Sequence, residues 1–124
     1  VTQQVWLGWK LDAEHRSNLL DRFPPRYCNT IADHVTHGPA DGSSPVPDAD
    51  RAVVIGHADD GAGVEALVVE VAGSHRRPDG GTYHITWSLE PGREAHESND
   101  AIARYGWEDV EDAPSVKLVK ARWP

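Results

Sequence analysis

Two tripeptides of one form carry the chemistry that this sequence offers: His34-Val35-Thr36 and His84-Ile85-Thr86. Along a β-strand successive side chains point to opposite faces, so residues i and i+2 share a face. Each tripeptide on a strand would present an imidazole and a hydroxyl together and send the aliphatic residue the other way. Two such strands side by side bring two imidazoles and two hydroxyls to one cleft. That set suits in-line displacement at a phosphodiester. A neutral imidazole takes a proton from the attacking water, and a protonated one gives a proton to the leaving oxygen. Histidine titrates near neutrality, so both forms are accessible at once. Threonine hydroxyls can donate to the non-bridging oxygens where charge builds. One base and one acid predict a bell-shaped rate profile between about pH 5 and 8.

A single His-x-Ser/Thr match is weak evidence. With 7 His and 12 Ser or Thr in the chain, chance supplies roughly one such match. His15-Arg16-Ser17 and His96-Glu97-Ser98 also match, but each has a charged centre and falls on or beside an expected helix, where the period of two does not apply. The pair with aliphatic centres on expected strands is the stronger signal.

The elements that must position these residues can be read from periodicity. Residues 5–11 (VWLGWKL), 30–37 (TIADHVTH), 51–58 (RAVVIGHA), 65–72 (EALVVEVA), 82–89 (TYHITWSL) and 115–122 (SVKLVKAR) read as strands. Asp12 is a candidate N-cap for a helix to about Arg22, with Leu19, Leu20 and Phe23 on its apolar face, ended by Pro24-Pro25. Ser98 or Asn99 is expected to cap a second helix to about Tyr105, with Gly106 at its C-terminal turn. The segment 59–63 (DDGAG) marks a hairpin, and 38–50 and 73–81 are loops rich in Gly and Pro. The order is β-α-β-β-β-β-α-β, with one helix and one His-x-Thr strand in each half.

Paired His-x-Thr strands flanked by apolar residues resemble the signature of the 2H phosphoesterases, which include cyclic phosphodiesterases of RNA repair and tRNA splicing. The stretch GGTYHITWSL with the later ESN is similar to small RNA-repair-type members of that family. The resemblance spans most of the chain but is carried by these few positions. It implies an α+β, bilobal fold in which two antiparallel sheets related by a pseudo-twofold axis meet at a central cleft, with two helices outside. It also implies metal-independent opening of a 2′,3′-cyclic phosphate or similar diester, with no cofactor. By motif position His34 and His84 would be the acid/base pair and Thr36 and Thr86 the phosphate holders. The family pattern leans toward His34 as acid and a 2′-phosphate product. The motifs stand 50 residues apart, and His37 follows Thr36 where an apolar residue is commoner.

Candidate substrate contacts are Arg76 and Arg77, in the loop just before the second motif, and Tyr27 and Tyr83. Tyr83 and Trp87 alternate away from His84 and read first as sheet core. Trp6, Trp9, Trp107 and Trp123 read as core as well. Tyr27 or Tyr105 could stack on a base. Arg22, Arg26 and Arg93 are further cations that read individually as solvated surface charges. A metal site drawn from Asp33, His34, His37, His57 and His84 is the chemical alternative. His34 and His37 are an odd number apart, so on one strand they face opposite sides, which weighs against it. A non-catalytic nucleotide- or RNA-end-binding module is the other class. It would keep the cleft without needing both imidazoles.

The chain has 124 residues, 39% hydrophobic and 26% charged, which fits one soluble α+β domain over 1–124. A net charge of −8 disfavours a long duplex footprint but not a small anion held by a few local donors. No run of 18 apolar residues predicts a membrane span, and the opening VTQQVWLGWK is patterned as a strand, not as a secretory signal. The single cysteine, Cys28, excludes a disulfide framework within the chain and makes a reducing cytoplasm the default. A monomer that acts on a nucleotide or an RNA 3′ end bearing a cyclic phosphate is the expectation.

Overall fold

A computed structural model describes residues 4–42 and 45–124. Ser43 and Ser44, in the expected 38–50 loop, and Val1–Gln3 lie outside the described residues. The elements are β1 (Trp6–Leu11), α1 (Ala13–Arg22), β2 (Asn29–Thr30), β3 (His34–Pro39), β4 (Arg51–Asp59), β5 (Val64–Val71), β6 (His84–Leu89), α2 (Glu97–Tyr105), β7 (Glu108–Asp109) and β8 (Ser115–Trp123). Among the described residues the class is α+β: eight antiparallel strands and two helices. Hydrogen bonding follows the path β2-β6-β5-β4-β8-β1-β3, with β7 beside β4. β8 pairs with β4 through Ser115–Lys117 and with β1 through Leu118–Trp123, so one long strand serves two sets of neighbours.

Chain connectivity forces this sheet to curl. β2 and β3 occupy opposite ends of the path, yet Thr30 and His34 are only four residues apart. A chain of that length spans at most about 14 Å. The two ends of the path must therefore approach, and Cα atoms of β3 and β6 come within 8 Å. The enclosed side is filled by Trp9, Val35, Val54, Leu67, Val69, Ile85, Trp87 and Val116, none of them exposed. Burying this contiguous set is the main stabilising term. Leu19 of α1 closes the cluster, with Leu20 and Phe23 packed partly against it. Ala101 and Ile102 of α2 pack against smaller clusters around Val64 and Val68.

Several expected boundaries shift. Asp12 caps α1 as expected, its carboxylate accepting from His15 N at 3.1 Å. The strand expected over 30–37 is broken in two. Ala32 takes φ 44°, a left-handed conformation that costs a non-glycine residue roughly 1–2 kcal/mol. It is held there from both sides: its N–H donates to Thr86 O at 3.0 Å, and its carbonyl accepts from Arg16 Nε at 2.6 Å. The N-cap position of the second helix falls on His96, which makes no side-chain capping bond, and not on Ser98 or Asn99. Ser98 lies inside the helix, fully buried. The strand expected from Thr82 begins at His84, and Thr82 forms a lone bridge with Arg76. The short strand β7 was not evident from the pattern of residues 106–110. Among the described residues no helix is long and apolar enough to cross a membrane.

Candidate active site

The two motif strands deliver their polar faces to one cavity. His34, Thr36, His84 and Thr86 all line a cleft of about 400 Å³, together with Trp6, Gly38, Arg77, Asp79, Ala95, His96, Asn99 and the C-terminal Trp123-Pro124. The intervening Val35 and Ile85 are fully buried on the opposite side. Alternation along each strand and the curl of the sheet are enough to produce this arrangement.

The two imidazoles have unlike partners. His84 Nδ1 lies 2.8 Å from the Thr82 carbonyl oxygen. A carbonyl only accepts, so Nδ1 carries the hydrogen and the Nε2 lone pair of the neutral ring is left for another proton. Burial pushes this ring's pKa from 6.5 down to about 4; the Thr82 carbonyl opposes the shift, while the charges of Arg77 and His34 add to it. His84 is therefore neutral at pH 7. His34 Nδ1 lies 3.0 Å from Asp33 Oδ2, and the same oxygen pairs with the Lys10 ammonium, carried on β1 directly opposite His34. Burial pushes the Asp33 carboxyl up, but the bonds and charges of Lys10 and His34 outweigh it and hold it below the usual carboxylate range. An ionised Asp33 accepts the His34 Nδ1–H and fixes the ring orientation.

Aromatic and cationic walls complete the cleft. The Trp123 ring sits 4.5 Å from the His34 ring, centroid to centroid, and the Lys10 ammonium lies 5.5 Å from the Trp123 centroid. Trp123 can stand there because Gly8 has no side chain. A Cβ at Gly8 would lie 2.9 Å from the Trp123 ring and 2.1 Å from Val35 O. Arg77 folds back over Gly81, where a Cβ would meet the guanidinium at 2.4 Å. Its Nε donates to Asp79 Oδ1 at 3.2 Å and its Nη2 to Asn99 Oδ1 at 3.3 Å. Only 12% of the side chain is exposed. Thr86 Oγ1 donates to Ala95 O at 3.2 Å and shares a 2.9 Å bond with the buried Ser98 hydroxyl. A phosphate oxygen would compete with the Ala95 carbonyl for the one Thr86 hydroxyl hydrogen. A second cavity of about 370 Å³ shares Arg77, Asp79, His84 and Asn99 with the cleft and continues over Gly80-Gly81, Asp100 and Ala103.

Of the residues singled out in the sequence, the structure brings together His34, Thr36, His84, Thr86 and Arg77. Arg76 is exposed and outside the lining. Tyr27 lies elsewhere: its hydroxyl donates to Asp59 Oδ1 at 2.6 Å, by the β4–β5 turn. Tyr83 is 3% exposed and packs edge-on against Trp9, with its hydroxyl 2.9 Å from His37 Nδ1. Neither tyrosine lines the cleft, which corrects the expectation that they contact substrate. Tyr105 is exposed beside a different cavity with His57 and Trp107. Arg22, Arg26 and Arg93 are committed to the carbonyls of Glu111 and Asp112, to Asp59, and to Asp60 and Glu97. His57 pairs at 2.7 Å with the buried Glu65, away from the cleft. Among the described residues no group of three or more His, Cys, Asp or Glu is placed to hold a metal ion.

The sequence reading missed Trp6, Trp123, His96 and Asn99 as cleft residues, and Lys10 and Asp33 as the ion pair that seats the His34 ring. A signal existed for some. Asp33 adjoins His34, and Trp6, Gly8 and Lys10 share the face of β1 that meets His34 and Thr36. Nothing in the aromatic pattern told Trp123, at the cleft, from Trp9, in the core. Comparison with family models, curated proteins and solved structures finds no match to this chain.

Proposed function

We propose that the chain is a phosphodiesterase of the 2H type that hydrolyses a cyclic phosphate, a nucleoside or RNA-terminal 2′,3′-cyclic phosphate above all. One observation carries the reading. Two His-x-Thr strands, 50 residues apart, line one cavity with their imidazoles in opposite environments. The asymmetry assigns the roles. His84, neutral with a bare Nε2, takes a proton from the attacking water. His34, seated on the Asp33 carboxylate, gives its proton to the leaving ribose oxygen. The water oxygen bonds to phosphorus as the phosphorus–ribose bond breaks, and solvent then restores both rings. If the 3′ oxygen leaves, the product is the 2′-phosphate. Arg77 and the two threonines supply donors to the non-bridging oxygens, and Trp6 and Trp123 supply apolar walls suited to a base. The chemistry asks for no metal or cofactor.

The bilobal architecture belongs to the same proposal. The handover in β8 divides the path into β2-β6-β5-β4 and β8-β1-β3, and each part carries one motif strand. Action as a monomer belongs to the same reading, in a reducing cytoplasm that would keep the exposed Cys28 a thiol. The test is hydrolysis of cyclic mononucleotides in EDTA. Wild type turns over, and His34→Ala and His84→Ala each lose ~10²–10⁴-fold. Activity that survives both substitutions, or that EDTA abolishes, refutes the proposal. Tight binding without turnover would identify a nucleotide-binding module instead.

A further inference from the structure

The distance between the two motif strands is not set by a β-ladder, because β3 and β6 are not hydrogen-bonded neighbours. Two ties bracket the stretch where they face each other. At one end the chain leaves β6 at Ala32, whose N–H donates to Thr86 O at 3.0 Å, and it joins β1 immediately afterwards. At the other end a side-chain bond crosses from β3: His37 Nδ1 and the Tyr83 hydroxyl lie 2.9 Å apart. His34 and His84 are held between the ties. His37 points away from the cleft because it is an odd number of residues from His34, and Tyr83 does so because it precedes His84. Both are buried, at 4% and 3% exposure, and both rings meet Trp9 edge-on with centroids about 6 Å away. A polar pair in an otherwise apolar cluster is costly to place and directional once made. The sequence marks it too: a histidine stands where an apolar residue would serve packing alone.

We infer that His37 and Tyr83 are positioning residues, a clasp behind the cleft that sets how far apart the two imidazoles stand. The inference rests on the phosphodiesterase reading for its consequence but not for its geometry. Acid and base must flank one phosphate, and a misplacement of about 1 Å can cost on the order of 100-fold in rate.

Tyr83→Phe keeps the ring against Trp9 and removes the hydroxyl. Its kcat should fall about 10- to 100-fold with KM changed less than about threefold, while circular dichroism stays that of wild type and the thermal midpoint falls only by the several degrees that one lost buried hydrogen bond costs. His37→Gln, which can still bond Tyr83, should keep more kcat than His37→Leu. A readout independent of turnover is the NMR titration of the His84 ring. Around that ring stand Arg77 and Asp79 from the preceding loop, His34 from β3, and His96 and Asp100 at α2, all retained in these variants. Opening the cleft admits water, so in Tyr83→Phe the titration midpoint should move up from about 4 toward 6.5. Wild-type kcat and an unmoved His84 midpoint in Tyr83→Phe overturn the clasp. A moved midpoint in a chain whose wild type hydrolyses no cyclic phosphate upholds the clasp and defeats the phosphodiesterase reading.

Discussion

Nδ1 of His84 faces a backbone carbonyl and Nδ1 of His34 faces a carboxylate, and this difference has consequences for pH. Unfolded, an imidazole binds its proton below about 6.5, whereas folded His84 stays neutral down to about 4. Between those values the unfolded chain holds the additional proton. Stability therefore falls as pH drops through that window, by about 3 kcal/mol when the fall is complete. Chemical denaturation at pH 7.5 and 4.5 should show most of that loss in wild type and less of it in His84→Gln; equal losses in the two would remove the buried-ring account. The rate follows the same ring. The acid limb of kcat/KM should lie near pH 4, below the lower edge of about pH 5 that an unperturbed pair suggests. Trp123 can be tested by truncation. Trp123→Ala removes the wall beside His34, and the expected result is a rise in KM of roughly tenfold for a purine cyclic phosphate with a smaller change in kcat, since base stacking is worth ~1–3 kcal/mol. An unchanged KM would take Trp123 out of substrate binding.

At the scale of elements, β1 is what holds the first motif strand in place, and Gly8 is where the two meet. The register shifts between Leu7 and Gly8, opposite Thr36. A methyl there would collide with Val35 O, a backbone atom that cannot swing aside. Gly8→Ala should cost about 1–3 kcal/mol in thermal or denaturant unfolding and lower kcat by displacing β3 and Trp123. Gly38→Ala, whose added carbon would meet nothing within 4 Å, is the control and should leave stability within about 0.5 kcal/mol. Equal stability for the two variants would refute a tight β1–β3 approach at Gly8. The motif faces were legible in the sequence because a period of two is a local rule: Val35 and Ile85 in, His34, Thr36, His84 and Thr86 out. The Asp12 cap and the Pro24-Pro25 stop are local as well. The break at Ala32 was not legible, because nothing local favours alanine at φ 44° and the contacts that hold it come from Arg16 and Thr86. Ser98 was misread for a related reason. Serine favours caps, but here its hydroxyl is occupied by Thr86 across a buried interface. Tertiary partners decided both.

At the scale of the molecule, a cleft with a few local cations sits on a chain of net charge −8. Arg77 lines the cleft and acts at short range, with Lys10 behind His34 on Asp33, while the remaining acids act at long range, where salt screens them. The Debye length falls from about 30 Å at 0.01 M to about 8 Å at 0.15 M, so the long-range repulsion weakens much more than the short contacts. A nucleic-acid binder with a basic stripe loses affinity as salt rises. The opposite sign is expected here, and it should grow with the charge on the substrate. Over that range of salt, kcat/KM for a singly charged cyclic mononucleotide should change less than about twofold. For a short oligonucleotide ending in a cyclic phosphate it should rise by more. A steep fall with salt for the oligonucleotide would mean that a cationic track guides it, and no such track is visible in the charge pattern. That result would move the proposed substrate from small cyclic phosphates to RNA ends, with the second cavity beside His84 as the place where the preceding nucleotide would sit.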